Sequence, residues 1–298
     1  MAENAFMLTS KGILADTGRM PPHRDPLVYL PPFLWALNVV ASRLAMGEVG
    51  PAWGSFLRFA LALPFFLLTL RRLPSLQPLG QTLFLALSGV AVFNLVFFSG
   101  VRLAPASDAA AVAALYPLST AFAYNLYFRK PFSSKLLLGL LLSGSGVVLL
   151  ALGHAAGGGK DRLLGDLLLV LAALLWGIYS VGVTLAVRGR EPLEVTAASM
   201  LLGSLLLFPV ALFSPFGAAS LKGWAALLYT ALGGAFLAFT LWGRVLQRHP
   251  ASLVAPFMNL TPALALLLSL LLLGEAPKGM DLPGLLLIGL GVYLTQRR

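Results

Sequence analysis

Six polar or aromatic residues sit near the middle of long apolar runs: Asn38, Asn94, Tyr116, Trp176, Tyr179 and, more loosely, Asn259. Tyr229 stands at a similar loose depth. Lipid satisfies neither amide nor hydroxyl, so such groups face a bundle interior or a water-filled cavity. Together they offer amide donors and acceptors beside amphipathic ring faces, a chemistry that suits binding of a zwitterionic or aromatic metabolite. The competing role is hydrogen bonding between helices, worth about 0.6 kcal/mol per contact. Trp35 and Trp176 stand at matching places in two similar stretches, Leu34-Trp35 and Leu175-Trp176. Trp176 is the better cavity residue, because Tyr179 and Ser180 follow it within one turn.

Arg58 is the only Lys or Arg well inside an apolar run. A cation at that depth is costly and needs a partner or water. The favoured partner is Asp108, giving a structural charge pair; the alternative is a substrate carboxylate. Asp108 also lies in the first turn of a helix, where a carboxylate favours the dipole. Pro117 and Pro262 each fall about a dozen residues into an apolar run. Each removes a helical hydrogen bond, so each is a candidate gating or hinge point.

Other chemistries find no support. His23, His154 and His249 all fall at the ends of apolar runs or between them, and no Glu lies in mid-run. That argues against proton coupling through a membrane-embedded Glu, while Asp108 remains available. There is no phosphate-cradling loop, no metal-ligand cluster and no nucleophile with base and orienter, so neither cofactor nor metal nor catalysis is expected. Cysteine is absent. The net charge of +10 is not a nucleic-acid signature, because Lys and Arg collect in short connections between apolar runs.

The elements that must position these residues are membrane helices. Of 298 residues, 58% are hydrophobic and 11% charged, against about 25% charged in an ordinary soluble domain. A bilayer-spanning helix needs roughly 20 mainly apolar residues. Ten such spans are predicted, at about 27–46, 50–70, 80–102, 105–127, 133–152, 164–186, 192–213, 222–245, 250–273 and 280–296. Residues 1–26 read as a polar cytoplasmic tail, and residues 153–163, with Gly157-Gly158-Gly159, as a linker. The chain thus divides into five-helix halves at 27–152 and 164–298.

The halves repeat one another. Pro105-Ala106-Ser107 recurs as Pro250-Ala251-Ser252, Pro117 as Pro262, Gly89 as Gly234, and Gly139, Gly144 and Gly146 as Gly284, Gly289 and Gly291, always 145 residues apart. With the N-terminus inside, fourteen Lys and Arg residues fall on the cytoplasmic side and six on the outer side; the positive-inside rule therefore puts both termini in the cytoplasm. An odd repeat must re-enter from the opposite face, so two inverted five-helix repeats are expected. The ends of the fourth and ninth spans fit this. Arg129-Lys130 would face the cytoplasm and Gly274-Glu275 would face outward.

In its Trp-bearing first helices, Pro-Ala-Ser starts, Pro117 and Pro262, Gly274-Glu275 and Gly-rich fifth and tenth spans, the chain resembles the drug/metabolite transporter superfamily, EamA type. The resemblance covers about 27–296; Arg129-Lys130 stands where the family shows a second Gly-Glu. It implies an all-α ten-helix inner-membrane carrier, commonly an exporter of amino acids or other small metabolites. The function expected is export of a small neutral or zwitterionic solute, aromatic amino acids included, by alternating access. The implied partners are a small-molecule substrate and the lipid bilayer. A monomer suffices, with a homodimer seam along the Gly-rich helices left open. A sugar-phosphate exchanger, a channel and a non-transporting scaffold are the alternatives.

Overall fold

A computed structural model describes residues 21–113, 115–135, 137–139, 141–142, 144–146, 149, 159–249, 251–254, 257–258, 260–274, 279 and 281–296. Among them the secondary structure is helical, and helix falls on all ten expected spans. The elements are α1 (Leu30–Val49), α2 (Pro51–Leu70), α3 (Leu79–Leu103), α4a (Ala106–Ala113), α4b (Tyr116–Tyr127), α5 (Leu137–Gly146), α6 (Gly159–Ala186), α7 (Pro192–Leu212), α8 (Leu221–Arg248), α9a (Ala251–Val254), α9b (Leu260–Leu273) and α10 (Asp281–Gln296). Six of these, α1 with its short lead-in, α2, α3, α6, α7 and α8, are long and apolar enough to cross a membrane. Large apolar side chains such as Leu68, Leu141, Phe213 and Leu286 are exposed around the bundle. That surface suits lipid, since a chain in water would cover such residues.

Proline and glycine set the elements' boundaries. Pro51 and Pro192 open α2 and α7 at the first turn, where proline's missing N–H costs nothing. Gly50, at φ 85°, makes the tight turn from α1 to α2. Pro117 cannot donate to the carbonyl of Ala113. Helical bonding lapses over the preceding turn, and the Leu115 N–H bonds only three residues back, to Val112. The fourth span is therefore two helices, with Pro117 in the first turn of the second. In the second half, α9a stops at Val254, residues 257–258 form a 3-10 turn, and Pro262 is the third residue of α9b.

A second irregularity is also matched. Inside α3, residues Ala86–Ala91 form a π-helical turn, and inside α8 so do Thr230–Leu237. The 145-residue offset carries the first onto 231–236, within the second. Such turns widen the helix by one residue and often mark functional positions.

The halves interlock. Helix α1 packs on α8 and α9b of the second half; reciprocally, α6 packs on α3 and α4b of the first. Helices α2 and α7 pack on each other, and each also packs on the π turn of the other half.

Two boundaries differ from expectation. Helix α6 begins at Gly159, so residues 159–163, expected in a linker, form its first turns. At 28 residues it runs about 42 Å, longer than the hydrocarbon core, which lets Lys160, Asp161 and Arg162 project past it. The end of the stretch expected as a polar cytoplasmic tail folds into a 3-10 turn at Pro22–Arg24, and a second follows at Pro26–Tyr29. Between them the Asp25 carboxylate meets Arg248 and His249 at the end of α8.

Candidate functional site

The interruption in α4 and the gap between α9a and α9b meet at the centre of the bundle. There a cavity of about 30 Å³ leaves room for one or two waters. Its walls are Trp35, Asn38 and Val39 of α1, Arg58 of α2, Phe93 and Phe97 of α3, Ala113 and Tyr116 at the α4 break, Trp176 of α6, Phe239 of α8, and Met258 and Thr261 at the α9 break. Ala113 and Met258 are 145 residues apart, as are Tyr116 and Thr261, so the two breaks supply matched pairs.

Aromatic rings form most of the wall. Tyr116 stacks on Trp176 with centroids 5.6 Å apart, and Trp35 meets Trp176 edge-on at 4.9 Å. Phe93 and Phe239 flank the Trp pair at 5.6 to 5.8 Å. The Trp35 indole N–H donates to the Gly234 carbonyl at 3.1 Å, while the Trp176 indole N–H finds no acceptor among the described residues. The Asn38 carboxamide oxygen is likewise buried without a donor.

Arg58 is 1% exposed. It lies about 10 Å from the start of α2 by helical rise. Its Nη1 donates to Asn94 Oδ1 at 2.9 Å, and its Nε donates to none of the described residues. Its guanidinium lies 5.4 to 5.7 Å from the ring centroids of Phe59, Phe98 and Phe239, close enough for cation–π attraction. It makes no ion pair among the described residues. The expected pair with Asp108 is corrected: Asp108 receives a bidentate grip from Arg162, at 2.7 and 2.9 Å. Because α6 is already helical at Gly159, Arg162 stands beside the first turn of α4a, at the membrane-end depth of Asp108. Arg58 lies farther in.

The other expected site residues divide. Asn38, Tyr116 and Trp176 line the cavity. Asn94 does not; it holds Arg58 and donates through Nδ2 to the carbonyls of Gly89 and Val90 at 3.2 and 2.8 Å, two acceptors in the π turn. Tyr179 packs behind the wall, against Trp176 and Phe239, over Gly89, where any Cβ would overlap its ring. Asn259 lies outside the described residues. Val39, Phe93, Phe97, Phe239, Met258 and Thr261 were not expected. The apolar ones resemble any core side chain in sequence, but Thr261 was traceable as the counterpart of Tyr116.

Both ends of the bundle carry polar clasps. At one end Glu48 of α1 accepts from the N–H and hydroxyl of Ser220 at 2.6 and 2.9 Å, Arg43 donates to the carbonyls of Val101 and Arg102, and Arg162 holds Asp108. At the other, Arg72 pairs with Glu194 at 3.0 Å, and Asp25 meets His249 at 3.1 Å and Arg248 at 3.3 Å. Burial pushes the Asp25 carboxyl up, but hydrogen bonds from His249, the Leu27 N–H and Arg248 outweigh it. They hold Asp25 below its ordinary value of 3.8. The central cavity is thus small, and polar clasps tie the helices together at both ends of the bundle.

Known proteins share this architecture. A solved crystal structure superposes with a TM-score of 0.67 at 24% identity, over 93% of this chain and 97% of its own. An uncharacterized transporter of Archaeoglobus fulgidus is 27% identical over 90% of this chain and 96% of its own. A probable terminal-alkyne amino-acid exporter of Streptantibioticus cattleyicolor is 26% identical over 89% and 90%. Residues 25–152 and 163–297 both match the EamA-like transporter family, the two ranges falling on the two halves that interlock around the cavity. This integral membrane protein therefore belongs to the EamA-like transporter family, within the drug/metabolite transporter superfamily.

Proposed function

We propose that the chain is a secondary carrier that exports amino acids or related small metabolites, aromatic ones included, across the inner membrane by alternating access. The halves act as inverted repeats with both termini in the cytoplasm, and the solute binds between them at mid-depth. The carrying observation is the cavity where both interrupted helices meet, lined by matched residues of the two halves. Broken helices at a repeat interface are where carriers of this construction bind solute.

In this reading Asn38, Tyr116 and Trp176 touch the solute, with Asn259 as a further contact. Asn94 and Tyr179 position them, and the breaks at Pro117 and Pro262 are hinges. A cavity of about 30 Å³ holds water but no amino acid, so loading requires the aromatic wall to part. That fits a carrier whose site forms fully only around its solute. Export is supported by the relative named a probable amino-acid exporter.

Purified protein in liposomes tests the proposal. Saturable uptake of an amino acid, accelerated by the same solute loaded on the far side, is the expected result. Linear, non-saturating flux means a channel, and no flux with any metabolite means a scaffold.

A further inference from the structure

Arg58 is a cation in search of an anion. A guanidinium buried inside a membrane helix is costly unless paired. Here its neighbours are one neutral amide oxygen and three aromatic faces. With Nη1 given to Asn94, the Nε–Nη2 edge remains, and Nε has no acceptor among the described residues. That edge is the one a carboxylate grips with two parallel bonds. Arg58 also lines the cavity, where it is the only charged residue among those described. Among the described residues no carboxylate stands in the wall to receive an ammonium group, and half of the lining residues are Trp, Tyr and Phe.

We propose that this cavity recognises its solute through a single carboxylate carried on an aromatic or apolar body, with Arg58 as the counter-ion and no requirement for an amino group. The proposal rests on the carrier reading and narrows its solute class. An aromatic amino acid enters through its carboxylate, and its ammonium gains only ring faces and the Asn38 oxygen. A phosphate ester, with its second negative charge, meets no second cation in the described wall. The body stacks in the slot that Trp35, Trp176 and Tyr116 form when they part.

Equilibrium binding to the purified protein, read by quenching of tryptophan fluorescence and by thermal shift, tests this with four probes of one shape: 3-phenylpropionate, phenylalanine, 3-phenylpropionamide and 2-phenylethylamine. The first two are expected within about threefold of each other. The amide and the amine are expected at least about tenfold weaker, the range of a charge-assisted hydrogen bond lost. R58L is expected to weaken 3-phenylpropionate by about 10- to 100-fold while leaving the melting temperature unchanged or raised, because an unpaired buried charge is removed. R58K, which keeps the charge without the fork, is expected to fall between; if R58L does not fold, R58K and the wild-type series decide.

Equal binding of acid and amide overturns the proposal. So does phenylalanine more than tenfold tighter than its deamino analogue, full affinity in the Arg58 variants, or no binding of any probe. If the carboxylates bind in the expected order but show no counterflow in liposomes, the carrier reading fails and the assignment of Arg58 stands. Saturable counterflow of the amine or amide without preference for the acid does the opposite.

Discussion

The π turns of α3 and α8 share a backbone and differ in what they hold. In α8 the Gly234 carbonyl takes the Trp35 indole N–H, and Asn38 presses on Gly234. In α3 the Gly89 carbonyl takes the Asn94 amide instead, and Tyr179 presses on Gly89. Trp176, the counterpart of Trp35, is left without an acceptor among the described residues. Asn94 in turn anchors Arg58. The matching places in the second half hold Phe239, 145 residues on, and Ser199, counted from Pro192 as Arg58 is from Pro51. Repetition kept the devices that shape the backbone: a glycine inside a π turn and a proline after a helix break. Divergence put the charge in one half only. On the proposed carrier reading, a solute between them meets a cation on one side and rings on the other, and so would bind in one orientation.

The glycines break the comparison most severely. Gly89→Ala and Gly234→Ala each drive a methyl into Tyr179 or Asn38, and each is expected to cost about 1–3 kcal/mol by overpacking. Thermal unfolding in detergent measures this, and a large difference between the two would deny that the turns are equivalent. Asn94→Leu comes next. It removes the Asn94 bonds to Arg58 Nη1 and to the Gly89 and Val90 carbonyls, for a loss of about 1–3 kcal/mol, whereas Phe239→Leu at the matching place should cost under about 1.5 kcal/mol. Adding R58L to Asn94→Leu should recover part of the loss, and a double-mutant cycle reads that coupling.

The tryptophans sharpen the comparison further. Trp35→Phe loses a buried hydrogen bond, about 1 kcal/mol, while Trp176→Phe loses none to the described residues. Trp176→Ala and Tyr116→Ala should weaken transport while expression stays near normal; unchanged saturation kinetics would remove them from the site. The smallest effect belongs to the Asp25 clasp. A carboxyl held below its ordinary value adds stability above pH 3.8, and that stability is lost as pH falls through the depressed value. Asp25→Asn should therefore lower the melting temperature at neutral pH and make no difference in strong acid.

The sequence carried the skeleton well because membrane helices announce themselves by apolar length, and proline and glycine mark backbone irregularity. Pro117 and Pro262 led to the helix breaks, and Asn38, Tyr116 and Trp176 to the cavity. The partner of Asp108 was hidden because Lys160, Asp161 and Arg162 follow three glycines and read as loop, though they form the first turn of α6. The role of Asn94 was hidden too. No sequence pattern separates an amide that feeds a cavity from one that holds an arginine and two carbonyls in place. Phe93, Phe97 and Phe239 are apolar residues in apolar runs, and only the convergence of α3 and α8 with the other cavity-lining helices makes them a wall.

The chain has no cysteine, so a single Ala113→Cys places one thiol in the cavity wall at the α4 break. Its reaction with a membrane-impermeant thiol reagent, applied to right-side-out and to inside-out vesicles, tests alternating exposure most directly. The account predicts labelling from each face and protection from both by the bound solute. Labelling from one face alone, or none from either, would contradict it.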